Sequence, residues 1–302
     1  MKYIVGAGFS GLIAATQFRS AEVIELGRRS QSHNALLRFK SDIISQMTGI
    51  EFRKVKVRKQ ICYRGKCYNE PQIKFTNMYS LKVIGLLSNR SITNIEDVER
   101  YIAPDNFYDQ LIEAVGEHRI SWNTRFIYGE DKGVISTVPM NYLACMDFHN
   151  YAPIRQVEFK YAPIKVTRIQ LKNADVFQTI YFPGPETSVY RASITGNLMI
   201  IESMDDLTES EILYVYEQFG IVGHSDAKTF NTEQKYGKIS SIDDTLRRTF
   251  ILDLTLNHHV YSLGRFATWK NILLDELASD IDGVKALEKQ DEYFKFMKRS
   301  TE

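Results

Sequence analysis

The sequence predicts an α/β fold in two parts. One is a parallel-sheet domain gathered from separated stretches of the chain, and the other is a domain built on an antiparallel sheet. Three observations carry this expectation. The chain opens with a strand, a glycine turn, a helix and a second strand within about 25 residues: Lys2–Val5, Gly6-x-Gly8-x-x-Gly11, Leu12–Arg19 and Glu22–Leu26. Near the other end, a strand at Val260–Leu263 stops at Gly264-Arg265 and leads to a helical pattern at Asn271–Ile281. Between them, residues 153–204 hold four β-forming runs: VEFKYAPIKVTRIQL, VFQTIYF, VYRASIT and LMIIES.

Length and composition bound the rest. A chain of 302 residues holds one or two domains. With 44% hydrophobic and 25% charged residues it reads as soluble and globular, with enough apolar residues for a real core. The net charge of +1 argues neither for nor against a polyanionic partner. The distribution is more telling. Residues 53–66, RKVKVRKQICYRGK, carry Lys and Arg with no acid. They read as a solvated hairpin or as a patch for a phosphate-bearing partner such as DNA. Three cysteines are too few for a disulfide scaffold. Cys62 and Cys67 face each other across a turn at Arg64-Gly65, and their spacing fits neither a CxxC redox pair nor a zinc site. Reduced thiols in a cytoplasmic protein are the default. No stretch approaches the roughly 18 apolar residues that span a bilayer. The first apolar run is cut by Gly6, Gly8 and Gly11, unlike a signal peptide.

The remaining elements follow from pattern. The apolar positions of the first helix, Leu12, Ala15 and Phe18, face inward. Asn34–Gly49 reads as a helix stopped by Gly49, and residues 52–75 alternate as a hairpin turning at Arg64-Gly65. Helical patterns dominate residues 76–118, with a start at Asn94–Asp97 and a break at Pro104-Asp105. Residues 119–128 and 133–138 read as strands that rejoin the first sheet. Thr208–Phe219 is a helix opened by a capping-box pattern. Residues 245–256 are mixed, and the charged last twenty residues are helical. His258 and His259 are adjacent and point apart on a strand, and His33, His118, His149 and His224 are scattered, so no metal site is expected.

The glycine turn carries specific chemistry. Gly6 permits a tight turn, Gly8 lets the backbone approach a pyrophosphate, and Gly11 allows close helix–strand packing. Phe9 and Ser10 open the helix, whose free amides and positive dipole end suit phosphate. Glu25, nineteen residues after Gly6, ends the second strand beside Leu26 and accepts ribose hydroxyls. A carboxylate there repels a 2′-phosphate, so NADP is disfavoured while NAD and FAD remain. Arg28 follows closely and reaches adenine or phosphate, or is simply solvated.

Residues 260–281, VYSLGRFATWKNILLDELASDI, resemble the second flavin-binding motif of the amine oxidase and glutathione reductase-type flavoproteins. They are most similar to that motif in the UDP-galactopyranose mutase family. The resemblance implies FAD. It puts Gly264, Arg265, Asn271 and Ile272 at the cofactor, with a helix N-terminus stabilising the negative charge of reduced flavin. ICYRGKCYNEP at 61–71, VISTVP at 134–139 and VYRASITGNLMIIE at 189–202 extend the resemblance. The last implies that Arg191 faces flavin and substrate. The chain also departs from the mutase pattern. SHNALLRFKSDI stands where mutases carry a His-bearing segment, Trp269 and Asn271 stand for tyrosines, and Leu273 for an acid. In its small size and compact second strand the chain is similar to bacteriophage-encoded flavoproteins. Some of those resemble amine oxidases and are associated with thymine hypermodification in DNA.

These readings combine into one expectation: a Rossmann-like FAD-binding domain (1–50, 119–150 and 255–302) and a substrate domain (51–118 and 151–254) with a helical insertion. Arg191, Tyr190 and Tyr181 on the second sheet, with Trp269 and Lys270 on the C-terminal turn, are the candidate catalytic set. Arg38 joins the cofactor set. Arg191 has a structural ion pair as its alternative, and Trp269 has core packing. The expected activity is FAD-dependent oxidation of the C–N bond of an amine or amino-acid-type substrate, including an amino-acid-modified thymine. The alternatives are a mutase-like flavoenzyme without net redox change and a non-catalytic FAD-binding protein.

Overall fold

β1 (Tyr3–Val5), α1 (Phe9–Gln17) and β2 (Glu22–Ile24) form a parallel βαβ unit at the start of the chain, as the glycine spacing requires. The structure, a computed structural model, describes residues 1–29, 37–89, 91–129, 133–222 and 229–299. The chain continues through β3 (Arg38–Phe39), α2 (Ile43–Thr48), β4 (Arg53–Tyr63), β5 (Lys66–Tyr68) and α3 (Ile73–Ile84). Then come β6 (Val98–Ile102), α4 (Phe107–Val115), β7 (Ile120–Ser121), β8 (Val134–Ser136), α5 (Met140–Ala144) and α6 (Ala152–Arg155). β9 (Tyr161–Gln170), β10 (Val176–Tyr181), β11 (Val189–Gly196) and β12 (Leu198–Ser203) lead to α7 (Glu209–Phe219) and β13 (Thr229–Ile239). α8 (Asp244–His258), β14 (Val260–Ser262) and α9 (Leu277–Arg299) complete it.

Two sheets organise these elements. A five-stranded sheet runs β14-β8-β1-β2-β7, and every pairing in it is parallel. A nine-stranded sheet follows the path β13-β9-β12-β11-β10-β4-β6-β3, with β5 beside β4. The fold is therefore α/β, with a parallel sheet and a second, mixed sheet. α1 has no side-chain cap and only nine residues, so propensity alone does not hold it. Burial does. Leu12, Ile13, Ala14 and Ala15 are fully buried against β1, β2 and α4, and Phe18 closes the same core. Each such Leu or Ile contributes about 1.5–3 kcal/mol.

Several expectations change in three dimensions. The second sheet is mixed, because β4, while paired with β5 on one edge, runs parallel to β10 on the other (Ile61 opposite Tyr181). The helical reading of 76–118 fails at 98–102. Asn94 does not start a helix: its Oδ1 accepts the Glu96 amide in a local turn, and the chain leaves as β6. β6 then pairs with the basic β4, bringing Glu99 to Lys54 and Asp97 to Lys56. The helix read from Asn34 shrinks to α2, stopped at Gly49 with φ 72° as expected; Arg38–Phe39 is strand, and Asn34–Leu36 lie outside the described residues, as do His33 and His224. The mixed stretch at 245–256 is one helix, α8, capped by Asp243 through the Leu246 amide at 2.8 Å. Leu252 and Leu256 stay 56% and 68% exposed, which blurred its apolar period. The C-terminal helix starts at Leu277 after a 3₁₀ turn at Leu274–Glu276, later than Asn271, and β13 had no clear sequence signal.

The capping box at α7 forms as expected. Thr208 Oγ1 accepts the Glu211 amide at 3.3 Å, and Glu211 accepts the Thr208 amide at 3.1 Å. Glu211 also accepts the Ser188 amide at 2.6 Å, so the box fastens the start of β11 as well. Burial works against the carboxylate's charge. Hydrogen bonds from the Thr208 and Ser188 amides, and from the Ser188 and Thr187 hydroxyls, outweigh it and pull the carboxyl down to about 2. Its folded value lies below the unfolded one, so its contribution is present above the ordinary carboxylate range and lost as pH falls toward 2. Thr208→Ala should lower stability by about 1 kcal/mol, read from thermal denaturation at neutral pH. An unchanged melting curve would mean the cap contributes nothing.

Candidate functional site

The opening turn is a cradle with three different glycines. Gly6 has φ +103°, and a Cβ there would lie 2.2 Å from Thr137 Oγ1. A Cβ at Gly11 would lie 1.9 Å from the Gly6 carbonyl oxygen, so α1 and the turn interlock. Gly8 is unlike both: a Cβ there would meet no protein atom within 4 Å. The open side of Gly8 is where a ligand backbone can approach. Gly8 is also the N-cap of α1, with no capping side chain and no acid in the first turn. The Phe9–Gly11 turn thus keeps a positive end for an anion.

Glu25 follows β2 directly and borders this cradle. Its Oε2 accepts the Ala7 amide and its Oε1 accepts the Gly27 amide, both at 2.7 Å. A carboxylate has further lone pairs, so hydroxyl donors can still be taken. Leu26 beside it is 71% exposed. Tyr108 of α4 steadies the turn from below, donating to the Ala7 carbonyl at 3.0 Å. Arg28 is exposed. Arg29 is held on the surface by Asp109 and Glu117, both at 2.9 Å. These features fit the pyrophosphate and ribose of a dinucleotide.

The C-terminal motif meets the cradle directly. Gly264 has φ +87°, and a Cβ there would lie 2.5 Å from Ser10 Oγ, at the start of α1. Two glycine motifs some 250 residues apart in sequence are therefore in van der Waals contact. The turn after Gly264 is closed by Thr268, whose amide and hydroxyl donate to the Gly264 carbonyl at 3.0 and 2.8 Å. Arg265 lies over the Phe266 ring and donates to the Gly237 carbonyl at 3.3 Å. Trp269 is 2% exposed, donates to the Ser240 carbonyl at 3.0 Å and packs edge-on against Phe159. It belongs to the core that joins the turn to β13. Lys270 is exposed, Asn271 donates weakly to the Ile239 carbonyl at 3.4 Å, and Ile272 is half-buried beside them. Sequence reasoning missed Asp275. Its carboxylate accepts the Lys40 and Ser41 amides, each with a contact of 3.0 Å, and ties the segment after β3 to the C-terminal motif.

A second cluster lies on the nine-stranded sheet. Arg191 on β11 sits opposite Tyr181 on β10 and Glu202 on β12. A bulge between Val189 and Arg191 lets Tyr190 and Arg191 both reach Glu202. Arg191 binds Glu202 through Nε and Nη2, the latter at 2.6 Å, and Tyr190 donates to the same carboxylate at 3.3 Å. Burial opposes charge on both partners. The Arg191 guanidinium nevertheless holds Glu202 below the ordinary range, and Glu202 holds Arg191 well above its own. Arg38 arrives from β3 and donates to Thr195 at 2.8 Å, to Thr179 at 2.6 Å and to the Ile194 carbonyl. Burial, aided by the nearby Arg191 charge, pulls Arg38 down to about 9. Lys238 lies 4.8 Å over the Tyr190 ring. Arg191 binds Glu202 directly, and Arg38 and Lys238 lie within electrostatic reach of the same carboxylate. Tyr181 and Tyr190 are buried under Tyr79 of α3, ring centroids 5.7 and 6.1 Å away.

The basic segment at 53–66 is partly neutralised. Arg53 pairs with Asp175 at 2.9 Å, Lys54 with Glu99 at 2.8 Å and Lys56 with Asp97 at 3.4 Å. Arg58 and Lys59 border a polar cleft with Gln60, Asn69 and Gln178 that shares no residue with the cradle.

No protein-family model matches the chain, and no curated protein matches it in sequence. Solved structures do match in fold. A reduced UDP-galactopyranose mutase is 14% identical, with 95% of this chain and 94% of that one covered and a TM-score of 0.68. Cyclohexylamine oxidase from Brevibacterium oxydans is 9% identical over 96% and 99%, with a TM-score of 0.60. An oxidoreductase from Methanosarcina mazei is 12% identical over 95% and 100%, with a TM-score of 0.59. At these identities the likeness is one of architecture, and it extends over nearly the whole chain. Among the described residues no helix is long and apolar enough to cross a membrane.

Proposed function

We propose that the chain is an FAD-dependent oxidoreductase that oxidises the C–N bond of an amine or amino-acid-type substrate. The observation that carries this reading is the contact of Gly264 with Ser10, which joins a dinucleotide cradle to a second glycine motif. A plain NAD site has no need of the second motif. The whole-length likeness to a mutase, an amine oxidase and an oxidoreductase supports the same reading.

FAD would be held by the first turn of α1 at its pyrophosphate, by Glu25 at its ribose hydroxyls, and by Gly264, Arg265, Asn271 and Ile272 at its flavin end. Bound flavin supplies a hydride acceptor. The protein supplies orientation and charge. Arg191, with the Arg38 charge nearby, gives this part of the sheet a positive character that suits a substrate carboxylate. A substrate amine arriving neutral needs no general base on the chain. Tyr181, Tyr190 and Trp269, all buried, would act by packing behind the site rather than by touching substrate.

The purified protein should show the absorbance of oxidised flavin, bleach on adding amine substrate, and release peroxide in air. Colourless protein that takes up NAD instead would overturn the cofactor. The likeness to a mutase, with the highest TM-score of the three, supports a second reading without net redox change. Turnover seen only after dithionite reduction, with no peroxide, would select it. Flavin that no amine reduces and no sugar nucleotide engages would leave a non-catalytic FAD protein. An amino-acid-modified thymine in DNA is one form of the proposed substrate. If the 53–66 segment binds DNA, that binding should weaken with salt and on charge removal at Arg58 and Lys59, and charge-neutral variants that bind equally well would exclude it.

A further inference from the structure

Cys62 and Cys67 sit on the two strands of one hairpin, directly opposite in register. The turn between the strands is Arg64-Gly65, with φ 51° and 71°, the two-residue turn whose backbone matches strand twist. In such a hairpin the pair flanking the turn, Tyr63 and Lys66, exchanges backbone hydrogen bonds. The next pair, Cys62 and Cys67, is then the non-hydrogen-bonded one, where Cα atoms lie about 4.5 Å apart. That separation falls within the range a disulfide spans, and opposed residues project to the same face. The two thiols differ in access. Cys67 is exposed, while Cys62 is buried and touches Gln218 Oε1 at 3.1 Å and Tyr214 Oη at 3.4 Å on α7. The Gly65 amide donates to the same Tyr214 oxygen at 3.3 Å, so the tip of the hairpin is already docked and the partner thiol already positioned.

We propose that Cys62 and Cys67 form a reversible disulfide when the protein meets peroxide. The exposed Cys67 sulfur attacks one peroxide oxygen, the O–O bond breaks, and the other oxygen leaves as water. Cys67 is then a sulfenic acid. Cys62 sulfur attacks Cys67 sulfur, the S–S bond forms, the S–O bond breaks, and a second water leaves with the Cys62 proton. Two thiols and one hydrogen peroxide become one disulfide and two waters; sulfur gives up two electrons and peroxide accepts them. Burial pushes the Cys62 thiol up, which leaves the first step to the exposed Cys67, and the second relies on the pair being opposed in register. Closure removes the S–H donor from Gln218 and staples β4 to β5 beside Ile61, the register partner of Tyr181. The inference is independent of the flavin reading, because the peroxide is added.

The test uses the whole purified protein, reduced and then exposed to a modest excess of hydrogen peroxide. The chain has three cysteines. Reactive thiols counted after denaturation should fall from three to one, the mass should fall by two hydrogens, and dithiothreitol should restore both. Trypsin cuts after Arg64 and Lys66, so the peptides carrying Cys62 and Cys67 should stay linked until reduced. Cys67→Ser, at an exposed position, should keep both remaining thiols, whereas Cys145→Ser should leave the disulfide unaffected. Oxidation of Cys67 alone to sulfinic acid with Cys62 still free, a bridge through Cys145 or between two copies, or three surviving thiols would each overturn the proposal.

Discussion

Gly11→Ala is expected to yield a colourless protein weakened by about 1–3 kcal/mol, the usual range for forced overpacking. The added Cβ would meet Gly6 oxygen at 1.9 Å and the Gly6 carbonyl carbon at 3.0 Å, and both are backbone atoms. Gly6 has nowhere to retreat, since its own φ is +103° and Thr137 lies against its open side. The turn must therefore deform, and the deformed turn is the one that would hold pyrophosphate. Gly8→Ala provides the contrast. Its φ of −74° suits alanine and no protein atom lies near the new Cβ, so the stability cost is only that of alanine at an N-cap, about 1 kcal/mol or less. Flavin retention should still fall, because the Cβ points where the ligand approaches. Denaturant midpoints and bound-flavin absorbance read the two effects separately. A Gly8→Ala protein that keeps all its flavin would refute the assignment of that open side to the ligand.

Glu202→Ala should be the most damaging single change on the second sheet, at about 3–5 kcal/mol. Glu202 is 7% exposed and is the carboxylate that Arg191 and Tyr190 both bind. Its removal leaves the buried Arg191 guanidinium without the carboxylate it binds, with the Arg38 charge nearby. Replacing the pair together, as Arg191→Met with Glu202→Leu, should recover much of the loss, because an apolar pair pays no desolvation for charge. The pH dependence has a definite sign. Glu202 is depressed in the folded protein, so its stabilisation is full above the ordinary carboxylate range and is lost as pH falls through the depressed value. Arg191 stays charged throughout. Acid denaturation of Glu202→Gln beside the parent should show this part of the acid sensitivity removed. Equal urea midpoints at neutral pH for parent and Glu202→Ala would mean the pair carries no stability.

Arg191 illustrates how far residue patterns reach. Its strand, its neighbours and its need for a partner were legible, because alternation and the burial of charge are local arguments. Which partner it takes was not. Glu202 lies eleven residues on, in a run read only as a strand, and it meets Arg191 because β11 and β12 form an antiparallel pair in this register. Arg38 is similar: its segment read as helix, but two residues of β3 suffice to send its guanidinium across to Thr179 and Thr195. Trp269 has a sequence position that fits a pocket wall equally well, and its contacts with Phe159 and Ser240 put it in the core.

The sequence by itself determined the cradle. Gly6, Gly8, Gly11 and Glu25 act within one βαβ unit, where turn geometry, helix dipole and strand length are fixed by neighbours in the chain. Only the tertiary structure decided that Gly264 packs on Ser10, that β4 joins β10 to make the second sheet mixed, and that acids at the start of β6 and in the β9–β10 connection partly neutralise the basic strand. The physical reason is common to all three. Close approach and charge pairing depend on which distant segments become adjacent, and adjacency is set by burying whole sheets and helices rather than by any short run of residues.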